Sequence, residues 1–201
     1  KFKECSYSLQ ELRDLKENTY KLVDEKTKSI DKKLSEVELL AKILQDEHQH
    51  FFEYPHSDTK IEKPIFQYAQ NGMYYKTSDN GGSSVVVSKD TKIDEELKRE
   101  LVNSEFFDST FKTLVNHDEN IIAVYFNSNK NYNRYYPFLE NSYNTFPSNI
   151  NMQSYNFYYE ADEKHNPNKD VVMTDIYLDP AQKGWMLSAI VPIYNKNKLE
   201  K

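Results

Sequence analysis

The chain has 201 residues, a formal net charge of −6 and a hydrophobic content of 38%. Its length suits one domain with an additional helix, and its 16 Tyr and 11 Phe predict an ordered core, because disordered chains are poor in aromatic residues. The negative charge argues against a nucleic-acid partner, since phosphate contacts favour a basic face. With Cys5 as its only cysteine, the sequence excludes an internal disulfide framework and a cysteine metal site.

No run of residues approaches the roughly 20 apolar positions that a membrane-spanning helix needs. The chain begins at Lys1 with neither a methionine nor a signal peptide, and we therefore interpret it as a piece of a longer protein. The cysteine content fits a reducing cytosol, and it fits a bacterial extracytoplasmic domain equally well.

Apolar residues recur at steps of three and four along the first fifty positions, from Leu9 to Phe51. This spacing is typical of an amphipathic helix, and no Pro or Gly interrupts it before Pro55. We predict one long helix over residues 1–52, which must project or pair with a copy of itself because it exceeds the width of a domain of this size. Two helices joined by an unmarked kink are the alternative.

The rest of the chain, residues 53–201, predicts a domain of short elements. Pro and Gly recur in residues 53–84. Residues 127–154 are rich in Asn, Tyr and Ser and predict a long loop. Because the predicted helices and strands segregate rather than alternate, we expect an α+β domain with an antiparallel sheet. In chain order, the sequence predicts irregular loops and one edge strand around the aromatic pieces 65–68 and 73–75, and then a short buried strand at 85–87. It further predicts helical spacing over 93–115, a strand at 121–126, a short helix at 155–164 and two antiparallel strands at 171–177 and 185–194.

Three histidines, His48, His50 and His56, lie near acidic residues, which is a common setting for metal ligands. Because His48 and His50 are two positions apart on a predicted helix, they point to different sides, and we interpret all three as surface residues at a solvated helix end. The sequence also has neither a glycine-rich phosphate loop nor a nucleophile elbow. We therefore expect no metal, no cofactor and no catalytic residue.

One enzymatic alternative is a carbohydrate hydrolase, which needs two carboxylates that face one cleft. Asp175 and Asp179 are the candidates, and on a strand they would point to the same side. They would also lie about 13 Å apart, which weakens this alternative.

Tyrosines cluster in two segments and are the remaining candidates for binding. They either pack a core with their hydroxyls at its edge or form an aromatic cage for a ligand. Asp179 follows a predicted strand, and it either accepts hydrogen bonds from a ligand ammonium or sugar hydroxyl or begins a turn before Pro180. The two groups are Tyr132, Tyr135 and Tyr136, and Tyr155, Tyr158 and Tyr159.

Several short motifs follow one another over residues 121–194. They are Val124-Tyr125-Phe126-Asn127, Asn133-Arg134-Tyr135-Tyr136-Pro137-Phe138, Phe157-Tyr158-Tyr159-Glu160-Ala161, Asn166-Pro167, Thr174-Asp175-Ile176-Tyr177-Leu178-Asp179-Pro180, Gly184-Trp185-Met186-Leu187-Ser188 and Pro192-Ile193-Tyr194. With the long first helix, this series resembles the membrane-distal, PAS-like module of double Cache (dCache, PDC) sensor domains. Such domains occur in bacterial transmembrane histidine kinases, diguanylate cyclases and chemoreceptors.

The resemblance implies a central antiparallel sheet of about five strands, with a pocket on one face under residues 127–164. It also implies an extracytoplasmic, periplasmic or extracellular domain of a membrane-anchored receptor, which binds a small ligand and signals through the N-terminal helix, where a homodimer could form. Kinase or cyclase activity would lie in a cytoplasmic domain outside this chain. The family module continues into a further strand after residue 194, so we expect a truncated piece or a shortened architecture.

Amino-acid-binding members of the family have a pocket pattern that can be compared residue by residue. Tyr125, Tyr177 and Asp179 match its tyrosines and its ammonium-binding aspartate. Asn156 and Tyr158 stand where the pattern has an arginine and a tryptophan, and Asn cannot replace the bidentate grip of Arg on a carboxylate. The resemblance therefore implies an amine, a polyol or another polar metabolite rather than a free α-amino acid.

Arg134 and Tyr136, in the loop predicted at 127–154, complete the candidate contacts, and Arg134 would supply a cation. The leading hypothesis is thus a non-enzymatic sensor of a small ligand. The alternative is a structural or dimerisation module of the same receptor, whose pocket is filled because Tyr158 and Tyr177 pack against each other.

Overall fold

The structure, a computed structural model, describes residues 8–54, 65–179, 183–195 and 198–199. His56 and Pro180 lie outside these residues. The chain divides into two compact units, residues 1–40 and 41–201. Helices α1–α4 span Leu9–Glu53, Glu95–Asn103, Asp108–His117 and Asn156–Tyr159, and strands β1–β11 span Phe66–Tyr68, Tyr74–Lys76, Ser84–Val87, Val124–Asn127, Tyr132–Tyr136, Val172–Met173, Tyr177–Leu178, Trp185–Met186, Ala189–Ile190, Tyr194–Asn195 and Lys198–Leu199.

Helix α1 is a single helix of 45 residues, so the prediction of one long N-terminal helix is confirmed. Ion pairs one turn apart, such as Lys28 with Asp24 at 2.7 Å, add a few tenths of a kcal/mol to a helix of this kind. In the first unit the helix leaves large apolar side chains such as Leu15, Val23 and Ile30 more than half exposed.

The second unit contains a five-stranded antiparallel sheet with the strand order β1-β2-β3-β5-β4. This confirms the α+β class that the sequence predicts, and the number of strands agrees with what the resemblance implies. The prediction of a loop over residues 127–154 is wrong at positions 132–136, because these residues form β5, between β3 and β4. Asn is depleted in strands and Arg is seldom fully buried, but here the side chains of Asn133 and Arg134 are both buried and hydrogen-bonded.

The two faces of the sheet pack against different partners, because successive side chains of a strand point to opposite sides. The helical face carries Val85, Phe126 and Tyr132, which form a core with the end of α1 and with the segment from α2 to α3. The loop face carries Val86, and it packs against residues between positions 143 and 161 in a second core around Met152.

A buried ionic cluster attaches the helices to the helical face. Arg134 is fully buried and donates to Ser104, to Glu105 at 3.1 Å and to Asp108 at 3.3 Å. Lys76, also buried, donates to both carboxylate oxygens of Glu105. Burial raises the pKa of Glu105, but the Arg134 charge and hydrogen bonds from neighbouring side chains outweigh this and hold the pKa below its ordinary value. Two cations thus balance two anions inside the unit.

His48 contradicts the interpretation of the histidines as surface residues. Its ring is 3% exposed and stacks on Phe107 with ring centroids 3.6 Å apart, and its Nδ1–H donates to the Leu44 carbonyl at 2.8 Å. Burial lowers the pKa of His48 to about 3, so the ring is neutral. His50, two positions later, is exposed as expected. Among the described residues, no group of His, Cys, Asp and Glu could hold a metal ion.

A short hairpin follows the second core, as the sequence predicts, in two ladders that are offset by one residue. Met173 pairs with Ala189, but Tyr177 pairs with Met186, so the first strand has one residue more than the second between the ladders. Such a bulge re-aims the side chains around it. Thr174 bridges the offset, because its hydroxyl oxygen accepts the Ser188 N–H at 3.0 Å.

Candidate ligand-binding site

A cavity lies between the loop face of the sheet and the hairpin. Counted out to its open mouth, the space is about 340 Å³, whereas its enclosed part is no larger than roughly one or two water molecules require. Aromatic and apolar side chains form most of its wall, with a few polar groups among them. The lining residues are Tyr125, Asn127, Asn133, Tyr135, Leu139, Thr145, Phe146, Phe157, Tyr177 and Asp179.

Three hydroxyl groups form a triangle at one side of the cavity. Tyr125 Oη lies 2.5 Å from Ser188 Oγ and 3.2 Å from Tyr177 Oη, and Tyr177 Oη lies 2.7 Å from Ser188 Oγ. Each hydroxyl has one proton to give, so three contacts can use all three protons. The triangle then offers a ligand only lone pairs, which accept hydrogen bonds.

Asp179 adds a carboxylate to this acceptor-rich side. Its side chain is 7% exposed and accepts the Lys183 N–H at 3.2 Å, while its own N–H donates to the Gly184 carbonyl at 3.0 Å. These contacts with Lys183 and Gly184 hold the carboxylate at the cavity wall. Burial raises the pKa of Tyr125 and of Tyr135 well above the ordinary value, and the charge of Asp179 raises both further, so these hydroxyls stay protonated at neutral pH.

Strands β4 and β5 supply a further part of the wall. Asn133 Nδ2 donates to Asn127 Oδ1 at 2.8 Å across the pair of strands β4 and β5. Tyr135 stacks on Tyr125 with ring centroids 5.9 Å apart and nearly parallel planes, and Phe157 meets the Tyr125 ring edge-on at 6.2 Å. The wall is thus rigid and aromatic, with amide and hydroxyl groups set into it.

The structure brings three of the seven predicted contacts together. Tyr125, Tyr177 and Asp179 line the cavity. Arg134 and Tyr136 do not, because they share strand β5 with Tyr135 but point to the helical face. Arg134 is therefore not a loop cation for a ligand, since its guanidinium is used in the buried ionic cluster.

The two remaining predicted contacts lie outside the lining. Asn156 begins helix α4, where its carbonyl accepts the Glu160 N–H at 3.2 Å. Tyr158 is 4% exposed and belongs to the second core, next to its neighbour Phe157. Tyr177 directs its hydroxyl to Tyr125 and Ser188.

Sequence reasoning misses Asn127 and Asn133, offers Tyr135 only as one member of a tyrosine group that either packs a core or binds a ligand, and misses Phe157. The signal for the first three is that side chains alternate between the two faces of a strand. Residues 125 and 127 therefore point to one side, and they pair with residues 135 and 133. That signal requires knowing that residues 132–136 form a strand.

Asp175, the partner that a hydrolase mechanism would need, is exposed and does not line the cavity. Asp179 is then the only carboxylate among the described residues that line it. The arrangement can hold and orient a donor-rich ligand, and a second carboxylate for acid–base work is missing from this described lining.

Comparisons with protein-family models, with curated proteins and with solved structures found no match. Across the described parts of the chain, every helix is either too short or too polar to cross a membrane.

Proposed function

We propose that this chain is a sensor domain that binds a small organic cation, such as an amine, in the cavity beside Asp179. The observation that carries the proposal is the acceptor-only side of the cavity, where the hydroxyl triangle lies beside a buried carboxylate. An ammonium group has three donors and no acceptor, which complements such a surface. Aromatic walls add to this preference, since the faces of tyrosine rings attract cations.

A free α-amino acid fits the cavity less well than an amine does. Its carboxylate would need a cation, and none of the described lining residues carries a positive charge. Arg134 cannot serve, because Glu105 and Asp108 already neutralise it on the other face of the sheet. The charge of the described lining is therefore negative, through Asp179.

The resemblance to double Cache modules extends the proposal to the role of the whole protein. The domain would be the extracytoplasmic part of a bacterial transmembrane receptor, and the long helix α1 would transmit the signal, with a homodimer formed through that helix. A ligand shifts such a receptor only by the difference between its affinities for the two signalling states.

The proposal is tested by thermal unfolding with matched ligands and variants. Butylamine, sorbitol, alanine and butyrate represent the cationic, polyol, amino-acid and anionic classes. Butylamine should raise the melting temperature, by an amount equivalent to about 2.7 kcal/mol at a hundred times its dissociation constant. Asp179→Asn, which keeps the shape and an acceptor oxygen but loses the charge, should abolish this response.

Asp175→Asn is the control, because this exposed carboxylate lies four residues away and outside the cavity lining. It should respond to butylamine as the wild type does. If sorbitol alone raised the melting temperature of the wild type, the ligand would not be a cation, although the domain would still bind a small molecule. An Asp179→Asn variant with the full butylamine response would refute the site.

A structural or dimerisation module remains the second candidate, and the small enclosed part of the cavity favours it. On this view the side chains around the cavity only pack the interior of the domain, and no ligand binds there. The same panel separates the two functions, because a purely structural module gives no response to any of the four classes.

A further inference from the structure

Among the described residues that line the cavity, the hydroxyl of Tyr135 is the one polar side-chain atom that is buried without a hydrogen-bond partner. The residue is 4% exposed, and its ring is held in place by stacking on Tyr125. A buried hydroxyl that lacks a protein partner favours any group that reaches it and completes its hydrogen bond. A ligand in the cavity would be able to supply that partner.

The hydrogen bond that Tyr135 can offer is a donor bond. Its hydroxyl stays protonated at neutral pH, since burial and the charge of Asp179 both raise its pKa. The triangle of Tyr125, Tyr177 and Ser188 uses its protons internally, so it does not compete for an acceptor. Tyr135 therefore suits a ligand atom with a lone pair.

A second donor lies on the same face of the sheet. Asn127 Oδ1 accepts the Asn133 amide proton, which orients the side-chain amide, and the Asn127 amide nitrogen has two protons that it can donate. Residues 127 and 125 share one face of β4, and residue 135 pairs with residue 125. The donors of Asn127 and Tyr135 thus border the same cavity.

We propose that Tyr135, with Asn127 beside it, recognises a neutral hydrogen-bond acceptor on the ligand, so that the site prefers amino alcohols or amino amides to plain alkylamines. This inference rests on the proposed binding of an organic cation. The acceptor must be neutral, because a carboxylate in this position would face the charge of Asp179 with no cation among the described lining residues.

The test uses pairs of probes that differ by one hydroxyl group. Each n-alkylamine of two to five carbons is compared with the ω-amino alcohol of the same chain length, by calorimetric titration of the wild type, Tyr135→Phe and Tyr136→Phe. The wild type should bind the best amino alcohol about tenfold more tightly than the matching alkylamine. Tyr135→Phe should bring this ratio close to one and leave the affinity for the alkylamine unchanged.

Tyr136→Phe is the matched control, because this neighbouring tyrosine points to the helical face. It should keep the tenfold preference. Tyr135→Phe without a ligand should melt no lower than the wild type, since it removes an unsatisfied hydroxyl and keeps the stacked ring.

The outcomes separate this inference from the proposed function. Wild-type protein that binds none of the probes refutes the binding of an organic cation, and this inference with it. Equal binding of amino alcohols and alkylamines refutes the role of Tyr135 alone. A preference that persists in Tyr135→Phe also refutes that role, even if the preference itself is real.

Discussion

The buried histidine on helix α1 predicts that the fold loses stability in mild acid. An unfolded histidine titrates near pH 6.5, whereas folded His48, neutral and stacked on Phe107, has a pKa of about 3. Between these values the unfolded chain binds more protons, so the free energy of unfolding falls as the pH falls. The stability is present above pH 6.5 and is lost progressively towards pH 3.

The size of this effect follows from the two pKa values. Each pH unit well inside the window costs about 1.4 kcal/mol, so His48 alone should lower the free energy of unfolding by about 2 kcal/mol between pH 7 and pH 5. This is a large share of the stability of a typical domain, which is roughly 5–15 kcal/mol.

Urea unfolding at pH 7, 6 and 5, followed by circular dichroism, measures the effect. His48→Phe should remove about 2 kcal/mol of the pH dependence, because phenylalanine can stack on Phe107 and does not titrate. The carboxylates contribute equally to the pH dependence of both proteins, so their contributions cancel in the comparison. His50→Phe, at an exposed position of the same helix, should show the same change of unfolding free energy with pH as the wild type. Equal slopes in the wild type and His48→Phe would contradict this account.

Two further substitutions test the helical face. Arg134→Met should lower the free energy of unfolding by about 3–5 kcal/mol in urea titrations, because it leaves the buried Glu105 and the largely buried Asp108 beside an incomplete set of cations. Lys98→Met, in an exposed pair, is the control and should change the free energy of unfolding little. Gly82→Ala would place a methyl group against the Asp108 carboxylate and should cost about 1–3 kcal/mol. Unchanged urea midpoints for either Arg134→Met or Gly82→Ala would show that Asp108 and its neighbours adjust freely.

Local pattern predicts the elements whose composition matches their environment. The long helix α1 and strand β4 are both predictable, since one has sustained helical spacing and the other is a run of β-branched and aromatic residues. Strand β5 is not, because its central residues, Asn133 and Arg134, are polar, and Arg134 is stabilised by Glu105, 29 positions earlier in the sequence. Unless β5 is predicted as a strand, the alternation of side chains that places Tyr135 at the cavity and Tyr136 on the helical face cannot be recognised.

Long-range contacts also decide the environment of single side chains. The sequence around His48 predicts a solvated helix end, but the ring that covers it belongs to Phe107, 59 positions later in the chain numbering. In contrast, Tyr177 and Asp179 are predicted as a pair from their own segment, and both line the cavity because one short hairpin fixes them.

Strand β5 has a consequence for how this protein can diversify. Its odd-numbered residues, Asn133 and Tyr135, border the cavity, whereas Arg134 is committed to ion pairs on the other side. Selection for a new ligand can therefore act on two positions of a five-residue segment while the position between them keeps the helices attached. We expect substitutions at positions 133 and 135 to change which ligand the domain binds without a matching fall in its melting temperature.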